Sequence, residues 1–165
     1  MILKNLSKNF YISLILIILI FILDRVSKVF IIYLTDKNLV TEIFSSRFLN
    51  ISLIWNKGIA FGFFSFNQEY LYNLLTLIIL LVVCIVLVMI IKDEGYKKYA
   101  LTMIFGGAIG NLYDRVFFKA VPDFIDFHIG EFHWFIFNVA DIFISLGVFF
   151  MILLELIDNN DRIHE

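Results

Sequence analysis

Acidic and amide side chains cluster between residues 105 and 146, where two apolar segments flank a short polar one. The candidates are Asn111, Asp114, Arg115, Asp123, Asp126, Asn138 and Asp141. Ionisable side chains at the depth of a membrane are costly to bury and are usually functional. Two aspartates brought together on antiparallel helix ends could share one proton, and the ionised partner could then activate a water molecule. The stretch therefore predicts acid–base chemistry.

Asp123 and Asp141 are the best candidates for such a pair. Asp123 follows the end of one apolar helix and Asp141 lies just inside the next, so the two helix ends meet at one level. The residues between them are enough for a hairpin that returns the chain. The alternative is structural: aspartates of this stretch, Asp114 and Asp126 included, could cap helix starts or pair with Arg115.

The composition indicates an integral membrane protein. Of the 165 residues, 61% are hydrophobic and 20 are Phe, whereas a soluble domain is only about 45–50% apolar. The net charge of −2 gives no indication of nucleic-acid binding. Cys84 is the only cysteine, which excludes an intrachain disulfide framework and a thiolate metal cluster. We expect a single domain over residues 1–165.

The hydrophobic runs predict an all-α integral membrane fold with four transmembrane helices, over about residues 11–34, 71–91, 99–116 and 137–157. Because no small-residue cleavage site follows the first run, we interpret it as a helix that is retained. Lysines cluster after the second helix, which predicts that this loop and both termini are cytoplasmic. Glycines in the third helix, at positions 106, 107 and 110, predict close approach of a neighbouring helix.

Residues 35–64 are predicted to form a small sheet at the membrane surface. Apolar and polar residues alternate over 49–56, broken only at Ile54, which is typical of a half-buried strand. The Asn56-Lys57-Gly58 sequence that follows is typical of a turn. Ser65 and Gln68 have the spacing of a capping box, which predicts a short interfacial turn before the second helix.

Asp24 and Lys28 are four residues apart and share a face of the first helix. Their spacing predicts a salt bridge at the outer end of that helix. The alternative is that Lys28 reaches toward a substrate or a lipid headgroup.

Nucleophilic and metal chemistries have weaker support. Cys84 lies in the middle of an apolar helix, where it would act as a small hydrophobe, and no Ser has a His at a comparable depth. A zinc site from Asp123, Asp126, His128 and His133 is conceivable, but the sequence lacks the H-E-x-x-H spacing on a helix. We therefore expect no metal and no cofactor, and interpret both histidines as interfacial or hairpin residues.

Five motifs follow one another along the chain: DRVSK, NKGIAFG, GGAIGNLYDRV, VPDFIDF and FNVADIFISLG. Together they resemble the motifs of lipoprotein signal peptidase, or signal peptidase II, a family of bacterial membrane aspartic proteases. The resemblance covers nearly the whole chain. It implies four transmembrane helices with a small extracytoplasmic β-cradle and a short interfacial helix.

The resemblance implies that Asp123 and Asp141 are the catalytic aspartates. It implies substrate-binding or supporting positions at Asn56, Gly58, Ala60, Asn111, Asp114, Arg115, Asn138, Ala140, Asp24 and Lys28. The implied activity is cleavage of prolipoprotein signal peptides on the amino side of a diacylglyceryl-modified cysteine, at the outer face of the bacterial cytoplasmic membrane. Membrane lipids are implied partners, and globomycin is an implied inhibitor that occupies the dyad. Ile59 and Pro122 depart from the residues common in the family, Ala and Val, but both changes spare the polar positions.

Two other functions stay open from the residues alone. A transporter or channel that used Asp114, Asp141 and Lys28 would distribute charge through the membrane depth, whereas these acids gather toward one face, apart from Glu155. A non-catalytic scaffold would not require the carboxyl groups of Asp123 and Asp141 to lie near each other.

Overall fold

The computed structural model describes residues 8–38, 42–58, 69–93 and 95–163. These residues form four long helices and a four-stranded antiparallel sheet. In chain order the elements are α1 (Lys8–Asn38), β1 (Glu42–Ser45), β2 (Leu49–Asn56), α2 (Glu69–Lys92), α3 (Lys97–Phe118), β3 (Val121–Ile129), β4 (Phe132–Phe137) and α4 (Val139–Ile163).

Helix α3 is the centre of the bundle and packs against α1, α2 and α4. Its Leu101 and Phe105 form a buried apolar cluster with Val83 and Ile90 of α2. Most other apolar side chains of the helices face outward, which suits a lipid environment. Helices α2 and α4 are long and apolar enough to cross a membrane by length and composition.

Glycines bring the helices of this bundle unusually close together, as the sequence predicted. A Cβ at Gly107 would collide with the backbone carbonyl of Ala140 at the start of α4, and one at Gly110 would collide with the carboxylate of Asp24 in α1. Close backbone approach of this kind is what small residues permit in membrane helices. The glycines of α3 therefore hold the first turn of α4 and the polar part of α1 against one side of α3.

The sheet has the order β1-β2-β3-β4, with each strand antiparallel to its neighbour. The alternating segment predicted as a strand is confirmed as β2. The prediction was wrong in confining the β-structure to residues 35–64, because the polar segment after α3 forms two further strands. Gly130 has a φ of 60° in the turn between β3 and β4.

Two predicted helix boundaries need correction. Helix α3 ends at Phe118, before Pro122, because Lys119 adopts a left-handed backbone conformation with a φ of 56°. Helix α4 begins at Val139 rather than near residue 137, because Phe137 still pairs with Ile125 in the sheet. The predicted capping box at Ser65, the interfacial helix, Ile59 and Ala60 lie outside the described residues.

Candidate active site

Asp123 is the third residue of β3 and is only 3% exposed. Pairing of β3 with β2 brings it opposite the end of β2, where Asn56 donates from Nδ2 to Asp123 Oδ2 at 2.8 Å. Asn138 Nδ2 donates to the other oxygen, Oδ1, at 2.6 Å. Both oxygens of this buried carboxyl group therefore accept hydrogen bonds from neutral amides.

Asp141 lies in the first turn of α4 and is fixed there by a reciprocal cap. The backbone N–H of Asn138 donates to Asp141 Oδ2 at 3.1 Å, and the backbone N–H of Asp141 donates to Asn138 Oδ1 at 3.2 Å. This is the geometry of a capping box, with Asn at the N-cap and an acid three residues later. The second oxygen, Oδ1, accepts a hydrogen bond of 2.8 Å from Asn111 Nδ2.

The two aspartates line one cavity of about 580 Å³ between the helices and the sheet. Its lining residues are Asn56, Ile79, Ala108, Asn111, Arg115, Val121, Asp123, Asn138, Asp141, Ile144, Ser145, Val148, Phe149 and Ile152. The polar members come from the ends of β2, β3, α3 and α4 that meet there, and the apolar members extend along α4 and α2. The cavity can therefore hold a polar backbone next to the carboxyl groups and an apolar chain beside the helices.

Burial, together with the negative charge of Asp141, raises the pKa of Asp123 from 3.8 to about 6. The hydrogen bonds from Asn56 and Asn138 act in the opposite direction, because they stabilise the ionised form. A carboxyl group with such a pKa binds a proton readily near neutral pH while its neighbour is ionised. This is the electrostatic condition for a pair of acids that shares one proton.

Among the described residues, no aspartate forms a salt bridge with Arg115, contrary to that part of the structural alternative raised from the sequence. Arg115 is buried, and it donates to the backbone carbonyl of Asn111 at 3.2 Å and to that of Gly58 at 3.0 Å. The N–H of Gly58 in turn donates to Asn56 Oδ1 at 2.8 Å. Arg115 thus ties the turn after β2 to α3 and holds the amide of Asn56 in position against Asp123.

A second polar cluster, the ionic cluster of Asp24, Arg25, Lys28 and Asp114, lies between α1 and α3. Lys28 Nζ contacts Asp24 Oδ1 at 2.8 Å and Asp114 Oδ2 at 2.7 Å. Arg25 Nη2 contacts Asp24 Oδ2 and Asp114 Oδ2, both at 2.7 Å. The predicted Asp24–Lys28 salt bridge is confirmed, and Lys28 is 1% exposed with its ammonium between these carboxylates.

The ionic cluster contacts two residues that lie next to the aspartate pair, Asn111 and Ala140. Lys28 Nζ donates to Asn111 Oδ1 at 2.8 Å, and the backbone N–H of Ala140 donates to Asp24 Oδ1 at 3.2 Å. Ala140 is fully buried beside Gly107, directly before Asp141. The supporting positions implied by the motifs are therefore brought together, except Ala60, which lies outside the described residues.

Sequence reasoning missed Arg25 as a member of this cluster. Its partner Asp114 is 89 positions away, so no local spacing predicts the contact. The one local signal was that Arg25 directly follows Asp24. Asp126 was grouped with the site, yet it bonds to His133 in the β3–β4 hairpin and neither caps a helix nor pairs with Arg115. His128 and His133 lie in that hairpin, as expected.

Comparison with known proteins agrees with this arrangement. The sequence model of the family described as signal peptidase (SPase) II matches residues 16–157. The chain belongs to this family. It is therefore a membrane peptidase that removes signal peptides from prolipoproteins.

Individual relatives span almost the full length of the peptidase. The protein named lipoprotein signal peptidase in Pelagibacter ubique (strain HTCC1062) is 48% identical over 158 residues, which cover 96% of this chain and 95% of the relative. The protein of the same name in Aquifex aeolicus (strain VF5) is 39% identical, and the alignment covers 90% of this chain and 87% of the relative. A solved bacterial membrane enzyme aligns with a TM-score of 0.73 at 29% identity, covering 91% of this chain and 90% of the other.

Proposed function

We propose that Asp123 and Asp141 are the catalytic dyad of this peptidase and that they hydrolyse the scissile peptide bond with water as the nucleophile. The observation that carries the proposal is their convergence on one cavity, with Asn138 bonded to both carboxyl groups. The raised pKa of Asp123, about 6, supports the sharing of one proton by the pair. Neither carboxyl group needs to form a covalent bond with the substrate.

The proposed reaction requires one ionised and one protonated aspartate. The ionised carboxylate accepts a proton from water as the oxygen attacks the carbonyl carbon, while the protonated acid donates a hydrogen bond to the carbonyl oxygen. Collapse of the tetrahedral intermediate breaks the C–N bond, and a proton passes from the dyad to the leaving amine. Both carboxyl groups are oriented throughout by hydrogen bonds from the amides of Asn56, Asn111 and Asn138. Because these amides are neutral, they hold the oxygens in place without adding charge.

The proposed substrate is a prolipoprotein that is cut on the amino side of a diacylglyceryl-modified cysteine. The mixed lining of the cavity supports this substrate: amides and acids lie at the end near the sheet, and Ile79, Val148, Phe149 and Ile152 extend along α2 and α4. Acyl chains of the modified cysteine, or of membrane lipids, would contact the apolar part. We also propose that globomycin-type inhibitors bind against the dyad in the same cavity.

We propose that the chain is one domain with four transmembrane helices in the bacterial cytoplasmic membrane. Besides α2 and α4, the 31 residues of α1 and the 22 of α3 would span about 46 Å and 33 Å at 1.5 Å per residue, enough for a bilayer core of about 30 Å. Their buried charges lie within the bundle rather than facing lipid. The sheet and the aspartates lie at the end opposite Lys92 and Lys97, which supports cytoplasmic termini and an outward-facing site.

The decisive experiment incubates the purified protein in detergent with a diacylated prolipoprotein, with and without globomycin, and follows the mass of the product. We expect cleavage directly before the modified cysteine, inhibition by globomycin, and loss of cleavage by about a thousandfold or more in Asp123→Asn and Asp141→Asn. The matched control is Glu155→Gln, an exposed carboxyl group paired with Lys97 and about 21 Å along α4 from Asp141, which should retain full activity. Turnover by either correctly folded dyad variant would refute the assignment.

A further inference from the structure

We propose that Asp126, His128 and His133 form a binding site for Zn²⁺ or a similar divalent transition-metal ion on the β3–β4 hairpin. The site is separate from the aspartate pair, and water would complete its coordination. These three residues belong to the zinc site that was conceivable from the sequence but lacked the H-E-x-x-H spacing on a helix. The hairpin brings the same kinds of ligand together in a different way.

The three side chains converge because of how β3 and β4 pair. His128 lies directly opposite His133 across the two strands, and their rings stack with centroids 5.1 Å apart. The pairing is irregular between Asp126 and His128, and Asp126 Oδ2 lies 2.8 Å from His133 Nδ1. One ligand atom from each residue can be chosen so that all three lie within 4.8 Å of one another.

Two polar atoms of this cluster are buried without a hydrogen-bond partner among the described residues: Asp126 Oδ1 and His128 Nδ1. Asp126 is 4% exposed, and the ion pair the structure describes for it is with His133. Buried polar atoms are normally satisfied, because each lost hydrogen bond to water costs free energy. A cation bound between the carboxyl group and the imidazoles would give both of these atoms a partner.

The ligand set indicates which metal would bind. Two imidazole nitrogens and one carboxylate oxygen, with a position left for water, suit Zn²⁺ and related first-row ions rather than Ca²⁺ or Mg²⁺. Tetrahedral Zn²⁺ with bonds of about 2.0–2.1 Å separates its ligand atoms by roughly 3.3–3.5 Å. The side chain of His133 is 52% exposed, so its rotation away from Asp126 can open a place for the ion without moving the strands.

Metal bound here would tie β4 to β3, the strand that carries Asp123. Strand β4 leads directly into Asn138 and the cap of α4. The ion would therefore stiffen the hairpin between the two aspartates without contacting either. The proposal concerns binding, and it does not depend on which residues perform hydrolysis.

The test uses the full-length protein without a polyhistidine tag, purified in detergent and treated with a chelator. Titration with Co²⁺ is followed by visible absorption, and Zn²⁺ is then added in competition. We expect one ion per chain in the micromolar range, with the spectrum of a four-coordinate site. His128→Gln and His133→Gln should each weaken binding at least about tenfold.

Two control variants locate the site. His164→Gln removes the remaining histidine of the chain and should leave the affinity unchanged. Asp123→Asn should also leave it unchanged, which separates this site from the aspartate pair. Absence of saturable binding, wild-type affinity in the two hairpin variants, or loss of binding in Asp123→Asn would overturn the proposal.

A measurement on the unaltered protein covers the case in which a hairpin variant fails to fold. Histidines are acylated with diethyl pyrocarbonate in the presence and absence of Zn²⁺, and the modified residues are identified by mass spectrometry. Zn²⁺ should protect His128 and His133 several-fold and leave His164 unprotected. Equal modification of the two hairpin histidines with and without Zn²⁺ would contradict the proposal.

Discussion

Two pairs of aspartates near the cavity differ in their surroundings: Asp24 with Asp114, and the buried Asp123 with the half-buried Asp141. Asp24 and Asp114 contact the cations Arg25 and Lys28. The hydrogen bonds described for Asp123 and Asp141 come instead from neutral amides and backbone N–H groups. An ion pair holds a carboxylate in its charged form, whereas amide donors orient it and still allow it to bind a proton. The charge of the partners thus distinguishes the two pairs, and it is consistent with the proposed role of Asp123 and Asp141 as the dyad.

Removing a member of the ionic cluster should give the largest effect on stability. Asp114→Ala leaves Lys28 and Arg25 buried with fewer partners, and breaking a buried ion pair typically costs about 3–5 kcal/mol. We expect a large fall in the thermal unfolding temperature in detergent. Glu155→Ala, which breaks an exposed pair with Lys97, is the control and should change that temperature little.

Removing a carboxyl group of the proposed dyad should increase the stability of the fold, the opposite of the effect expected in the ionic cluster. The pKa of Asp123 is about 6 in the folded chain against an ordinary value of 3.8, so the stability that its protonated form contributes is lost as pH rises through that window. Asn at this position stays neutral, and Asp123→Asn should therefore be more stable than the wild type by roughly 2–3 kcal/mol at pH 7. The gain should disappear near pH 4.

Unfolding curves of Asp123→Asn and the wild type at pH 7 and near pH 4 test whether the substitution stabilises the fold. A variant that is inactive and more stable at pH 7 would show that the carboxyl group is retained at a cost to stability. Destabilisation of Asp123→Asn at pH 7 would mean that the ionised carboxylate stabilises the fold, as Asp114 does.

Asn111 links the ionic cluster to the proposed dyad. It accepts a hydrogen bond from Lys28 and donates one to Asp141, each at 2.8 Å. Asn111→Ala should lower kcat by about 10–100-fold, the equivalent of one hydrogen bond to a charged group. We expect KM to change much less, because the amide positions an acid rather than the substrate. Asn73→Ala, an exposed amide bonded to Lys119, is the matched control and should retain normal kinetics. A change in KM alone would contradict this role.

Asn56→Ala should have the smallest effect. The amide stabilises the ionised form of Asp123, so its removal should raise the pKa of that carboxyl group above 6. In a plot of kcat/KM against pH, the limb that reports the ionisation of Asp123 should move to higher pH by about one pH unit or less, as expected for the loss of one hydrogen-bond donor. A downward shift would show that the amide favours the protonated form instead.

Local sequence patterns predicted the helices and β2, but only part of the sheet. Strands β3 and β4 combine aspartates, histidines and many aromatic residues, and this mixture lacks the clear alternation that identified β2. Their pairing also depends on β2, which lies more than 60 positions earlier in the chain. Such contacts between distant segments are specified by the fold and cannot be read from a short window.

The candidate site was predictable to the extent that it follows from helix ends. Asn138 and Asp141 have capping-box spacing, and the helical hairpin predicts that Asp123 returns to the same level. The motif resemblance added the roles of these residues, which stay predictions. The division of aspartates into ion-paired and amide-bonded groups was not predictable, because Arg25 and Lys28 reach Asp114 across 89 and 86 positions.

The apolar side of the cavity has a consequence for how the peptidase should be assayed. Helix α2 packs mainly against α3, and Ile79 of α2 lines the apolar part of the cavity with Phe149 and Ile152 of α4. In the proposed membrane arrangement, substrate would enter from the hydrocarbon beside these residues. A substrate that arrives this way diffuses in two dimensions. Its effective concentration is then its mole fraction among the surrounding amphiphiles, so adding detergent at constant protein and substrate should slow turnover by surface dilution.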